Sequence, residues 1–135
     1  MKNNIVLILS ISLLFSVGCG QNVRVTGKVT FEDGSPLTKG VVIFNAGATE
    51  SKAPIEEDGS YTVGTLKSND GLPRGTYRVY ITGASLFPGI NAKGAPLGPV
   101  VHLVDTKFAA PETSGLTCEV KGSMTHNITV TPPGK

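Results

Sequence analysis

Two segments of this chain alternate strictly between apolar and polar side chains, which is the pattern of a half-buried β-strand. In residues 76–82, Tyr77, Val79 and Ile81 share one face, and polar or amphipathic side chains occupy the other. Residues 23–31 alternate in the same way, and their inward positions are Val23, Val25, Gly27, Val29 and Phe31. A chain with this pattern must bury one face of a sheet against a second layer.

Turn-forming residues punctuate the rest of the chain. Asp-Gly pairs occur at Asp33, Asp58 and Asp70, and the sequence has 17 Gly and 9 Pro in 135 residues. Such pairs favour tight reversals between strands, and no apolar repeat of helical period follows Cys19. Further strands are predicted at residues 41–45, 60–63, 100–104, 116–120 and 128–130. We therefore predict an all-β fold, a single antiparallel β-sandwich, preceded by a helical N-terminal signal peptide.

Residues 84–99 interrupt this strand pattern. Pro88, Pro96 and Pro99 lie among several glycines there, and proline cannot donate a backbone hydrogen bond to a sheet ladder. We expect a loop or mobile flap with no long regular element.

The N-terminus has the composition of a secretion signal. Lys2 precedes an apolar run, residues 5–17, and Gly18 stands directly before Cys19. The run is shorter than the roughly 20 residues needed to cross a ~30 Å hydrocarbon core. We therefore predict a cleaved signal rather than a permanent membrane helix.

The small residues before Cys19 resemble the lipobox of bacterial lipoproteins. In that family a diacylglycerol is attached to the cysteine, a peptidase cuts before it, and the new amine is often acylated. Ser16 departs from the Leu that the family prefers three residues before the cysteine. The resemblance implies lipid attachment at Cys19 and firm membrane anchoring, since each buried CH2 contributes about 0.8 kcal/mol. An ordinary secretory signal with an incidental cysteine is the alternative.

This interpretation divides the chain into a signal peptide (1–18), a short tether (19–22), a β-sandwich domain (23–131) and a flexible tail (132–135). An extended chain spans about 3.5 Å per residue. The domain should therefore lie within roughly 15 Å of the bilayer surface. In lipoproteins, Gly20 rather than Asp after the lipidated cysteine is compatible with transfer to an outer membrane. The expected location is the cell envelope, with the outer membrane favoured in a two-membrane cell.

Three segments of the domain carry a resemblance to a known family: GKVTFEDGSPLTKGVVIF, EDGSYTVGTLKSNDGLPRGTYRVYITG and TKFAAPETSGLTCEV. They resemble the carboxypeptidase regulatory-like, or transthyretin-like, domain, and the resemblance implies a sandwich of the transthyretin or immunoglobulin type. Their motifs are an initial V-x-G-x-V strand, a D-G-x-Y turn and strand, and P-x-G-x-Y-x-V. The match spans most of residues 23–131, and the long segment 84–99 departs from the compact family pattern. Structurally, Gly59 and Gly75 should start strands, whereas Tyr61 and Tyr77 should fill the core with their hydroxyls reaching an edge partner.

Cys118 has no partner if Cys19 carries lipid. It alternates in phase with Leu116 and Val120, so we predict a buried free thiol packed as a small hydrophobe. A Cys19–Cys118 disulfide and a nucleophilic role are the alternatives.

Residues able to do chemistry are scattered through the sequence. Glu56, Glu57 and Asp58 lack the ligand spacing of a calcium loop. His102 and His126 lie far apart, without zinc-site spacing, and G-x-S-x-G is absent. Asn127 begins a formal glycosylation sequon, interpreted as accidental in a polar strand face. We predict no catalytic residue, cofactor or metal.

The sequence therefore predicts a lipid-anchored, non-enzymatic envelope domain that supports or contacts other envelope proteins. Its scattered lysines and arginines argue against nucleic-acid binding. One alternative is an extracellular ligand- or carbohydrate-binding module with its site on residues 84–99. A transthyretin-like hydrolase is a distant third, because this chain lacks the Tyr-Arg-Gly-Ser ending of that purine-pathway enzyme.

Overall fold

The computed structural model describes residues 21–134. The predicted signal peptide and Cys19 lie outside these residues. Ten strands are present among them: β1 (Val25–Phe31), β2 (Val41–Ala46), β3 (Thr49–Pro54), β4 (Ser60–Thr62), β5 (Gly75–Thr82), β6 (Ser85–Leu86), β7 (Val101–His102), β8 (Leu116–Val120), β9 (Met124–Thr125) and β10 (Ile128–Val130). One 3-10 turn, Thr106–Ala109, lies between β7 and β8.

The strands form two principal sheets, which confirms the predicted all-β sandwich. The first has the order β10-β1-β4, with β9 also paired to β1, and the second has the order β3-β2-β5-β8. The second sheet is antiparallel throughout. In the first sheet, β1 is antiparallel to β4 but parallel to β9 and β10. This sheet is therefore mixed, and its parallel pairs join segments far apart in the chain.

The β3–β4 connection passes from one sheet to the other. Ile55 bridges Tyr61 beside the turn, and Lys52 bridges Gly64 further along. Asp58 shapes the turn, because its carboxylate accepts hydrogen bonds from the backbone N–H and the hydroxyl of Ser60, at 2.9 and 2.5 Å. These bonds lower the pKa of the Asp58 carboxyl. The two sheets are thus linked by backbone bridges at this edge.

Phe44 on β2 lies at the centre of the core between the sheets. Its ring centroid is 6.2 Å from that of Tyr61 in the first sheet and 6.2 Å from that of Tyr77 in its own sheet. The imidazole of His126 makes a third edge contact at 6.2 Å. Offset and edge-on geometries of this kind stabilise aromatic packing beyond the area buried. The alternating residues predicted to face inward, including Val79 and Ile81, are buried in this core, except that Phe31 at the end of β1 is half-buried.

The two core tyrosines are placed as predicted, with buried rings and bonded hydroxyls. The Tyr61 hydroxyl donates to the backbone carbonyl of His126, and the Tyr77 hydroxyl donates to the carbonyl of Pro73 at 2.7 Å. The second bond resembles the tyrosine corner of β-sandwiches, in which a strand tyrosine bonds backbone a few residues upstream. Each hydroxyl therefore satisfies a backbone acceptor at the margin of the core.

β3 is the longest strand that the sequence pattern does not predict. Its inward residues are Ser51 and Ala53, both fully buried. Neither is large and apolar, so the segment lacks an alternating hydrophobic signal. The Ser51 hydroxyl is hydrogen-bonded to that of Thr65 at 2.7 Å, which satisfies a polar group inside the fold.

The two ends of the sandwich are distinguished by the segments that lie there. At the entry end, Val23 leads into β1 and exchanges backbone hydrogen bonds with Leu72 shortly before β5 begins. β5 then runs away from this end and finishes at Thr82. At the opposite, far end, the N–H of Asp105 donates to the carbonyl of Thr131 just after β10. The segment after β5 therefore emerges at the far end.

Candidate functional site: a protruding hairpin at the far end

Residues 85–102, here called the protruding hairpin, form a separate two-stranded sheet. Ser85 pairs with His102 and Leu86 with Val101. Beneath this pair, the N–H of Leu103 donates to the carbonyl of Ala84 at 2.9 Å. The segment thus contains no long regular element, as predicted, but it is a β-hairpin with a long excursion beyond its two-residue strands.

Hydrogen bonds continue through the excursion to its tip. The N–H of Leu97 donates to the carbonyl of Gly89 at 3.0 Å. The side-chain oxygen of Asn91 accepts from the N–H groups of Lys93 and Ala95 at 2.9 and 3.0 Å. Such bonds from an asparagine side chain mimic a backbone turn and fix its shape. The tip is therefore held by hydrogen bonds within the hairpin itself.

Apolar side chains of the hairpin face solvent. In residues 86–102 every residue is exposed except the half-buried Gly89 and Gly98. Of the seven large apolar side chains exposed within residues 21–134, six lie here: Leu86, Phe87, Ile90, Leu97, Val100 and Val101. Leu66, in a loop near the entry end, is the seventh. A concentration of this kind marks an interaction surface more often than scattered apolar residues do.

The base of the hairpin is attached to the core. Ala84 and Val104 are buried on either side of the short strands, and Phe108 from the 3-10 turn is buried beside them. The carboxylate of Asp105 caps that turn by accepting from the N–H of Lys107 at 2.9 Å. The hairpin is therefore attached to the core at its root, and its side chains beyond the root are exposed.

A groove lies between β3, β4 and the loop that follows β4. This groove has a volume of about 460 Å³, and its lining is mixed, with charged, hydroxyl and apolar side chains. The Asp70 carboxylate organises its loop by accepting from the N–H groups of Thr65, Leu66 and Lys67 at 2.6, 3.1 and 3.1 Å. These bonds, led by that from Thr65, lower the pKa of Asp70. Asp70 thus has a structural role in the loop.

Cys118 is buried on β8, as predicted from its phase with Leu116 and Val120. It is 3% exposed and, within residues 21–134, is a free cysteine. Burial raises the pKa of its thiol. Since the thiolate is the nucleophile, this environment favours an inert packing role.

The two histidines are not brought together by the fold. His102 is exposed on the protruding hairpin, whereas His126 packs against Phe44 in the core. Burial lowers the pKa of His126, so its neutral form is favoured. Glu56, Glu57 and Asp58 are exposed in the β3–β4 turn, where Asp58 lies 3.9 Å from the Lys28 ammonium.

Within residues 21–134, no group of three or more His, Cys, Asp or Glu is arranged to hold a metal ion. No helix in the same range has the length and hydropathy needed to span a membrane.

Comparison with known proteins finds a structural similarity. No family model matches the sequence, and no curated protein matches it. The crystal structure of a DUF3823 family protein from Bacteroides ovatus is similar at a TM-score of 0.47 and 19% sequence identity. The match covers 82% of this chain and 45% of that chain, so this chain spans less than half of that protein's length.

Proposed function

We propose that this chain is a lipid-anchored, non-enzymatic module of a bacterial cell envelope that contacts other envelope proteins. The signal-like residues 5–17 and Cys19 support the anchor through their resemblance to a lipobox. The order of strand motifs supports a carboxypeptidase regulatory-like domain. In this proposal the lipid on Cys19 holds the domain at a membrane, the outer membrane in a two-membrane cell.

The observation that carries the proposal is the placement of Val23 and the protruding hairpin at opposite ends of the sandwich. The tether enters beside Leu72 at the entry end, whereas the hairpin leaves from Thr82 at the far end. β1 alone has 7 residues, which corresponds to roughly 23 Å at about 3.3 Å per residue. A domain anchored through Cys19 would therefore present its hairpin away from the anchoring membrane.

The alternative of an extracellular ligand- or carbohydrate-binding module places its site on the same segment. Sugar rings stack on aromatic side chains, and Phe87 is the aromatic residue of the hairpin. The other large apolar side chains exposed there are aliphatic, and they suit a protein surface better than a sugar. We therefore favour protein contact.

Detergent partition of the full chain tests the anchor. Wild-type protein should enter the detergent phase, and mass spectrometry should find an acylated Cys19 at the mature N-terminus. Cys19→Ser should move the protein to the aqueous phase, whereas Cys118→Ala is the matched control that should leave partition unchanged. Because the apolar hairpin could itself retain detergent, Cys19→Ser is repeated with Phe87→Asp. Retention of that double variant in detergent, together with a mature wild-type N-terminus that carries no acyl group, would exclude the lipid anchor.

A further inference from the structure

The protruding hairpin is prepared for binding before any partner arrives. Pro88, Pro96 and Pro99 fix backbone angles along it, and the Asn91 side chain holds the tip. A segment already ordered in its bound shape loses less conformational entropy on association. Its exposed apolar side chains are therefore presented at low entropic cost.

The single charged side chain of the hairpin distinguishes a protein partner from a lipid bilayer. Lys93 is the sole lysine, arginine, aspartate or glutamate of residues 85–102, and it is exposed in the tip beside Gly94. Ile90 and Leu97 lie behind it on the two arms. Tip-first entry into a bilayer would carry the ammonium deepest into hydrocarbon, where a charge is costly. In a protein cleft, by contrast, a carboxylate at the same depth can pair with the Lys93 ammonium.

The chain's own N-terminal segment is badly placed to cover the hairpin. Val23 lies at the entry end through its backbone bonds to Leu72, whereas the hairpin projects from the far end. The three residues between Cys19 and Val23 span only about 11 Å when extended. Once the segment before Cys19 is removed, as proposed, these residues cannot reach the hairpin, so its occupant comes from another molecule.

We propose that the protruding hairpin docks into an apolar-walled cleft of another envelope protein, with a carboxylate in that cleft pairing with the Lys93 ammonium. This deepens the proposed function and rests on it. Phe87 and Leu86 contact the mouth of the cleft, Ile90 and Leu97 its walls, and Lys93 its floor. A rigid apolar anchor inserted into a dry pocket is the arrangement that dominates binding energy in protein interfaces, and the buried charge pair supplies orientation.

Two crosslinking chemistries in cells test the proposal on the full anchored chain. A photoreactive benzoylphenylalanine at Phe87 reports what surrounds the apolar arm. A carbodiimide joins the Lys93 amine to any carboxylate within ion-pair distance. Both adducts should contain the same foreign protein, and the carbodiimide junction should be an Asp or Glu of it. Benzoylphenylalanine at Leu66, which is 89% exposed but near the entry end, is the matched control and should not give this adduct.

Charge variants complete the test. Lys93→Glu should lower the Phe87 photo-adduct about tenfold, because it sets two carboxylates against each other, and Lys93→Arg should preserve it. Adducts with lipid chains would establish a bilayer as the occupant, and adducts with a second copy of this chain would establish self-association. Either result, or equal yields at Phe87 and Leu66, would overturn the docking proposal.

The anchor is measured separately by detergent partition of the same cells. Protein that is anchored but gives no Phe87 adduct refutes the docking alone. Protein that is not anchored but still gives the paired adducts refutes the anchor and leaves the docking in place.

Discussion

The hydroxyl of Tyr61 and the backbone carbonyl of His126 are joined by a hydrogen bond that crosses β1 at Gly27. Tyr61 lies on β4, and His126 lies between β9 and β10, so the bond connects the chain on one side of β1 with the chain on the other. A Cβ atom at Gly27 would overlap both the carbonyl and the hydroxyl. Glycine is therefore required at this point of the strand, which accounts for the central glycine of the V-x-G-x-V motif.

Removing the Tyr61 hydroxyl should destabilise the fold. Tyr61→Phe leaves the carbonyl of His126 without this donor, and we expect the free energy of unfolding to fall by about 1–3 kcal/mol. Tyr80→Phe is the matched control, since its hydroxyl bonds the carboxylate of Glu50 at 3.1 Å on the surface and should cost less than about 0.5 kcal/mol. Urea denaturation measures both, and equal losses would contradict the assignment.

The same tyrosine should affect stability at alkaline pH. Burial, with a smaller contribution from Cys118, raises the pKa of Tyr61 above its ordinary 10.0. Above that ordinary value the unfolded chain releases the proton that the folded chain retains, so the free energy of unfolding falls as pH rises. Urea midpoints between about pH 8 and pH 11 should decline less steeply in Tyr61→Phe than in wild type. An equal decline of the urea midpoint in both proteins would show that Tyr61 does not cause the loss of stability at alkaline pH.

β5 offers a matched pair for testing its orientation. Val79 is fully buried and Arg78 is exposed. Val79→Asp places an unpaired carboxylate in the core and should lower the free energy of unfolding by about 4 kcal/mol or more. Arg78→Asp should change it by less than about 1 kcal/mol. Thermal and urea unfolding would reveal an error in the phase of the strand if the two variants were equally tolerated.

Cys118 should be slow to react in the native protein. Its burial restricts access, and its raised pKa reduces the thiolate fraction. A thiol reagent should label Cys118 quickly in urea and slowly without it, as followed by mass spectrometry. In Cys19→Ser protein Cys118 is the remaining cysteine of the sequence, so all labelling is at Cys118. Rapid labelling of the native protein would show that the thiol is exposed and open to redox chemistry.

Spin labels can measure the orientation of the anchored domain. A label at Arg24, at the entry end, should be relaxed strongly by lipid-borne agents because the predicted tether is short. A label at Pro133, beyond the far end of β10, should be relaxed weakly. If residue 24 responds no more than a soluble control protein does, the short tether is wrong.

Strands with large inward residues could be predicted from the sequence, as β1 and β5 show. Their alternating side chains fix both the strand and the buried face. β9 is different, because Met124 and Thr125 carry too short a pattern, and its place is set by backbone pairing with β1. Tertiary contacts decide such segments, so local sequence cannot reveal them.

The sequence predicts where the candidate site lies, but it does not predict that its apolar side chains are exposed. Prolines and glycines in residues 84–99 predict a break in the sandwich, but they give no indication that Phe87 and Ile90 face solvent. An apolar side chain has the same local pattern whether it packs inward or projects outward, and the difference depends on where the rest of the chain lies. The ordered tip depended on Asn91, whose turn-forming bonds could have been anticipated from the Asn-x-x-Gly spacing.

The parallel pairing of β1 with β9 and β10 has a consequence for how the domain is made. β1 gains its partners on one side only from residues about a hundred positions later, as Val29 with Ile128 illustrates. Folding is slow when so long a loop must close before its stabilising contacts can form. During export the first strand to emerge would wait beside the membrane with one edge open until the last strands were delivered. If the chain is exported as proposed, the interval in which it is most exposed to misassociation would be set by the time needed to translocate the whole domain.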